Sequence, residues 1–180
     1  MSKTVPLEEQ LRVLAECGIR CRPGITVAHI VQPFPRETYE RDPYTALSCT
    51  LGSETEDDAA ERLSDNIWHF DAECIYDDSD YIGIAARMCI LAGGDLPLES
   101  VEDRVDAEGG KAWLSFRLDG RPIKWDLRLD DDWVDPTVFS RFASLLAARG
   151  TGKRFTYLDL GGQDCLIGGW PGLSGMGQRS

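Results

Sequence analysis

From Lys111 to Arg128 hydrophobic and polar residues alternate almost without a break. Ala112, Leu114, Phe116 and Leu118 fall on one face, and Trp113, Ser115 and Arg117 on the other, which is the period of a strand. After Asp119-Gly120, Ile123, Trp125, Leu127 and Leu129 alternate with Lys124, Asp126 and Arg128. Glycine accepts the positive φ that a two-residue turn needs, so the pattern predicts an antiparallel hairpin. A second alternation sets Trp68, Phe70, Ala72, Cys74 and Tyr76 against His69, Asp71, Glu73 and Ile75. It predicts a strand from residue 66 onward with one wet face. Residues 100–106 suit a short strand. Residues 155–160 suit another, with a partner over 164–167 across Gly161-Gly162.

Elsewhere the spacing is helical. Leu7, Leu11 and Leu14 share a face of a helix over residues 6–17, with Pro6 in its first turn and Gly18 at its end. Thr26 caps a short helix carrying Val27, Ile30 and Val31, which Pro33 stops. Residues 36–51 are helical with an interruption at Pro43. A helix over 79–91 takes Asp78 or Ser79 as its cap and Gly93-Gly94 as its stop. Asp135-Pro136 opens the last helix, with Val138, Phe139, Phe142, Leu145 and Leu146 as its buried stripe and Gly150 at its end.

These elements predict an α+β fold: an antiparallel sheet with helices packed on one side, and a helical N-terminal region. The expected organisation is a single domain over residues 1–167. It comprises a helical part (1–52), an acidic loop (53–65, with a helical turn at 59–63) and a sheet-containing part (66–167). Residues 168–180 are rich in glycine and read as a flexible tail.

Charge sharpens this picture. The 180 residues carry 31 acids and 19 bases, a formal net charge of −12. Residues 53–80 hold eleven of the acids and one base, Arg62. Asp130, Asp131, Asp132 and Asp135 form a second cluster. A pI near 4.5 argues against direct nucleic-acid binding and against anionic membranes, since both favour positive surfaces. No apolar run reaches the ~20 residues of a membrane span, and the start of the sequence has no signal-like apolar core. The expectation is a cytoplasmic protein. The six cysteines are scattered, and Cys17-x3-Cys21, the only close pair, lacks a second pair for zinc. Free thiols are expected.

Three catalytic-looking strings do not hold. Gly150-Thr-Gly-Lys153 has Ala147 where a phosphate loop needs its first glycine, and Arg154 where it needs Ser or Thr. Asp78-Ser-Asp80 has Ile82 and Cys89 at the later calcium-ligand positions. Gly172-Leu-Ser174-Gly lacks the spacing of a nucleophile elbow. The strongest enzymatic alternative is a metal-dependent hydrolase using His69, Asp71 and Glu73, which one strand would align on one face. With His29 and His69 the only histidines, no histidine-rich site can form. No turn presents a nucleophile for a histidine base. The expectation is a non-enzyme that needs no cofactor and no metal.

Two strings, Leu63-Ser-Asp-Asn-Ile-Trp-His-Phe-Asp71 and Phe155-Thr-Tyr-Leu-Asp-Leu-Gly-Gly-Gln-Asp164, together with residues 130–136, resemble small acidic bacterial proteins that accompany polymorphic toxins of the Rhs or YD-repeat type. The resemblance covers about residues 5–167. It implies an immunity protein that neutralises a cognate toxin domain, with no family site residue to carry over. An acidic surface complements the cationic cleft of a toxin acting on nucleic acids or nucleotides. The expected partner-binding residues are Asp71, Glu73, Asp77, Asp78, Asp80, Asp130, Asp131, Asp132, Trp133 and Asp135. Trp133 would be the anchor inside an acidic rim.

Overall fold

The computed structural model describes residues 4–54 and 62–171. Glu56, Asp57, Asp58 and Glu61 of the acidic stretch, and the start of the helical turn expected at 59–63, lie outside them. The fold is α+β: strands β1 (Ile67–Asp71), β6 (Asp164–Pro171) and β5 (Lys153–Gly161), in that order, form one three-stranded antiparallel sheet, β2 (Leu98–Asp106), β3 (Lys111–Leu118) and β4 (Arg121–Arg128) form another, and the N-terminal region is helical. Among the described residues no helix is long and apolar enough to cross a membrane. No disulfide joins any of the six cysteines. The chain divides into two compact units, one of residues up to Phe70 with Thr156–Trp170, the other centred on Asp71–Phe155.

The first unit is helical at its start. It contains α1 (Leu7–Glu16), α2 (Val27–Ile30), α3 (Arg36–Arg41) and α4 (Thr45–Gly52). Pro6 and Gly18 (φ 97°) bound α1 as the sequence predicts. Thr26 and His29 cap α2 reciprocally, the His29 Nδ1 lying 3.0 Å from the Thr26 amide nitrogen. The core joins Leu7, Leu14, Ile30, Tyr39, Leu47 and Leu51 with Ile67 and Leu166 of the sheet. Gln10, fully buried, ties α1 to the α3–α4 corner. Its amide donates to the Val5 and Tyr39 carbonyls, and its oxygen accepts from the Tyr44 N–H at 2.8 Å. Removing such a group would strand buried backbone donors and acceptors.

Strand β1 (Ile67–Asp71) ends five residues before the alternation does. The Asp71 carboxylate accepts the Glu73 N–H at 2.9 Å, which turns the chain and stops the two-residue period. The strand that predicts a common face for His69, Asp71 and Glu73 therefore does not exist as one element. At the other end the fold exceeds the expectation. Strand β5 (Lys153–Gly161) is followed by β6 (Asp164–Pro171), which continues through the glycines expected to open the tail. Gly168 and Gly169 are buried. The Trp170 ring lies over Gly168, where any Cβ would collide with it. Glycine is what lets the indole fold back and pack on the core.

The second unit is built on β2 (Leu98–Asp106), β3 (Lys111–Leu118) and β4 (Arg121–Arg128). The predicted hairpin is present, its turn made by Asp119 and Gly120 at φ 51° and 76°, with Phe116 opposite Ile123 and Leu114 opposite Trp125. Ala112, Leu114, Phe116 and Leu118 are all buried. Helix α6 (Thr137–Ala148) places Phe142 against Phe116 and Trp125, with ring centroids at 6.0 and 4.9 Å. Helix α5 (Asp80–Leu91) packs beside β2 and buries Tyr81, Ile84, Ala85 and Met88. On the open face of the sheet, the Lys124 ammonium sits 4.1 Å from the Trp113 ring centre, a cation–π contact.

Candidate functional site

Two acidic segments some sixty positions apart meet in the second unit. Glu73 forms an isolated antiparallel bridge to Trp133. The N–H groups of Cys74 and Ile75 both donate to the Asp132 carbonyl, at 3.0 and 2.9 Å, and the Val134 N–H donates to the Ala72 carbonyl. A tight turn, closed by the Trp133 N–H on the Asp130 carbonyl and bent at Asp131 (φ 58°), holds the other strand of this short ladder. The pairing brings Asp71, Glu73, Asp130, Asp131, Asp132 and Trp133 into one patch.

Two aromatics stand out of that patch. Trp133 is 39% exposed and Tyr76 62% exposed. The Tyr76 hydroxyl donates to the Glu73 carbonyl at 2.9 Å. Desolvation, then the charges of Asp132 and Asp71, push its phenol above the ordinary range. A pocket of about 560 Å³ opens beside Trp133, lined by Asp130, Val134, Pro136 and Arg128 among others. Arg128 pairs with Asp130 at 3.4 Å, with both side chains largely exposed. An aromatic body in an acidic rim suits the stem and charge of a basic side chain.

The remaining predicted residues, Asp77 apart, have internal duties. Asp78 accepts the Val105 N–H at 2.7 Å and the Arg104 guanidinium at 2.8 Å. Asp80 accepts the N–H groups of Tyr76 and Asp77 at 2.7 and 2.9 Å. Neither Asp78 nor Ser79 caps α5 with its side chain. That work falls to Asp103 on β2, whose carboxylate takes the Ser79 and Ile82 N–H groups. Asp135 accepts from the Thr137 and Arg128 backbones, each at 2.9 Å, and its own N–H donates to the Tyr81 hydroxyl. Burial opposes ionisation of Asp135, but those two N–H donors, together with the Thr137 hydroxyl and the Arg141 charge, outweigh it and hold its pKa below the usual carboxylate value. Burial pushes the Tyr81 phenol up to about 12. Asp77 is exposed at the loop surface.

His69 is engaged elsewhere than with Asp71 and Glu73. Its Nε2 lies 3.2 Å from an Asp164 carboxylate oxygen, and its Nδ1 lies 3.4 Å from the Ser53 hydroxyl. No spacing in the sequence signals this serine–histidine–aspartate set, because the position after α4, strand β1 and strand β6 supply one residue each. Ser53 donates its proton to the Cys49 carbonyl at 2.8 Å. It also follows α4, where unpaired carbonyls point outward, and an oxyanion needs N–H donors. The set fastens the end of α4 to the sheet. Gly52 allows the approach, since a Cβ there would stand 2.5 Å from the His69 backbone nitrogen. Among the described residues no group of three or more His, Cys, Asp or Glu side chains is placed to hold a metal ion. Nor does Lys153 of the phosphate-loop-like string face a loop of that kind. It donates to the Ala92 carbonyl at the end of α5 and pairs with Asp95 at 3.4 Å, a cation at a helix C-terminus. No family model, curated protein or solved structure matches the chain.

Proposed function

We propose that this chain is an immunity protein, which binds a cognate bacterial toxin domain and occludes its basic active-site cleft. The observation that carries the reading is the ladder between residues 72–75 and 130–134, which gathers two acidic runs around exposed Trp133 and Tyr76. Carboxylates at 71, 73 and 130–132 steer a cationic cleft toward the patch, and the aromatics supply the apolar contact that holds it. The resemblance of the 63–71 and 155–164 strings to immunity proteins of polymorphic toxins points the same way. Inhibition by occlusion asks no chemistry of this chain, only shape and charge.

The test begins with the gene directly upstream. Its C-terminal domain should be toxic when expressed alone in the cytoplasm and harmless when co-expressed with this chain. The purified pair should form a complex that no longer binds the toxin's substrate. A neighbouring toxin that kills cells despite abundant folded protein would overturn the reading.

A further inference from the structure

Trp133 is the one exposed tryptophan among the described residues. Two other indoles of the same unit carry cations. The Lys124 ammonium stands 4.1 Å from the Trp113 ring centre, and the Arg141 guanidinium 5.7 Å from that of Trp125. Among the described residues no cation covers the Trp133 ring. The pocket beside it is lined by Asp130, Val134 and Pro136, and the one base in its lining is Arg128. Arg128 ends β4 directly opposite Lys111 of β3, a like-charge pair that a sheet disfavours. Its guanidinium reaches Asp130 instead, at 3.4 Å, with the two side chains 79% and 78% exposed. Ion pairs so exposed contribute little, and another cation can replace one.

We propose that Arg128 is a displaceable counter-ion of this pocket: an arginine of the partner enters, replaces Arg128 on Asp130 and stacks on Trp133. The inference rests on the reading of the patch as a toxin-binding surface. Charge and shape together select the occupant. The exposed carboxylates of Asp130 and Asp131 favour a cation, while the indole, Val134 and Pro136 favour an apolar stem. Arginine satisfies both, because its planar guanidinium stacks on aromatic rings and pairs with carboxylates. Arg128 shows that a guanidinium is accepted at Asp130, yet it leaves the indole uncovered. While it stays there it neutralises Asp130 and repels an incoming cation. Its displacement exchanges a solvent-exposed pair for one backed by an aromatic surface, where a cation gains more.

NMR titration of the full chain tests the pocket without a toxin, with N-acetyl-arginine amide as the probe and its uncharged citrulline counterpart as the control. The probe should move the Trp133 indole N–H resonance, assigned from Trp133→Phe, and saturate in the millimolar range. The control should bind at least about fivefold more weakly. Arg128→Gln keeps the backbone N–H that Asp135 accepts and removes the like charge opposite Lys111. It should therefore fold, which circular dichroism checks, with Arg128→Met as a second replacement. Either variant should bind the probe about threefold more tightly, and adding Asp130→Asn should abolish that gain. An unmoved Trp133 resonance overturns the proposal. So does equal binding of the control, a variant no tighter than wild type, or a gain that survives Asp130→Asn. The upstream toxin domain separates the two readings. If it binds the wild type and is indifferent to Arg128→Gln, displacement fails and immunity stands. If it ignores a chain that takes the probe, immunity fails and the arginine pocket stands.

Discussion

The loop before α5 and the loop before α6 each carry a short run of aspartates, and the two runs do different work. In the first, Asp78 and Asp80 each accept two hydrogen bonds, reaching β2 or closing the loop on itself. In the second, Asp130, Asp131 and Asp132 form a turn through backbone groups. The side-chain contacts are an exposed ion pair from Asp130 to Arg128 and, from Asp132, a hydrogen bond and a charge on exposed Tyr76. Asp135, at the end of that loop, belongs with the first kind. Charge density along the sequence does not separate a carboxylate that organises a backbone from one that faces outward. Hydrogen-bond partners do, and they divide the predicted binding residues into a supporting set and a presenting set.

The division is broken most severely by removing the supporting set. Replacing Asp78 and Asp80 together by alanine should lower unfolding free energy by roughly 2–4 kcal/mol, because bonds to charged acceptors are worth about 1.5–3 kcal/mol each. Chemical denaturation measures this, and no change in midpoint would place these residues with the presenting set. Asp135→Asn should cost about 1–2 kcal/mol at neutral pH, and pH sharpens the assignment. The folded pKa of Asp135 lies below the ordinary 3.8, so its stabilisation is complete well above that value and fades as pH falls through the depressed one. The gap between wild type and variant in melting experiments should therefore be open at neutral pH and close in strong acid.

The presenting set should act on rates. Converting Asp130, Asp131 and Asp132 to asparagine should leave the melting temperature nearly unchanged while slowing association with the toxin by about threefold to tenfold. Wild-type association should itself slow as salt shortens the screening length toward ~8 Å, and stopped-flow mixing at several salt concentrations would show it. An association rate indifferent to salt would remove steering from the account. The smallest effect is expected at His69. His69→Ala should cost about 1 kcal/mol or less of stability through its exposed contacts to Asp164 and Ser53, and leave protection of the host cell intact. Loss of a measurable hydrolase activity, or of bound metal, on that substitution would revive the enzymatic alternative.

The two regions also show what a sequence can reveal. The β3–β4 hairpin was legible because alternation, turn residues and a buried face all agree, and α1 and α6 announce themselves by capping and periodicity. The alternation overextends strand β1, running on past Asp71, where a side-chain-to-backbone bond bends the chain. The pattern cuts strand β6 short because Gly168 and Gly169 look like a linker, although one of them makes room for Trp170. The cap of α5 lay hidden on β2, at Asp103. Of the site, Trp133 and its acidic neighbours could be named from composition. Their meeting with Glu73 and Tyr76 depends on a long-range ladder that no local pattern encodes.

The central claim is that affinity resides on the ladder around Trp133 and not on the denser charge of residues 54–58. Titration calorimetry with the upstream toxin domain, on a Trp133→Ala variant and a Glu54/Glu56/Asp57/Asp58→Ser variant shown to be folded, tests it directly. Truncating a central aromatic anchor should cost ~2 kcal/mol or more, about thirtyfold in Kd, while neutralising the loop should cost under ~1 kcal/mol. A loop variant that loses more affinity than Trp133→Ala would contradict the account and move the interface to the acidic loop.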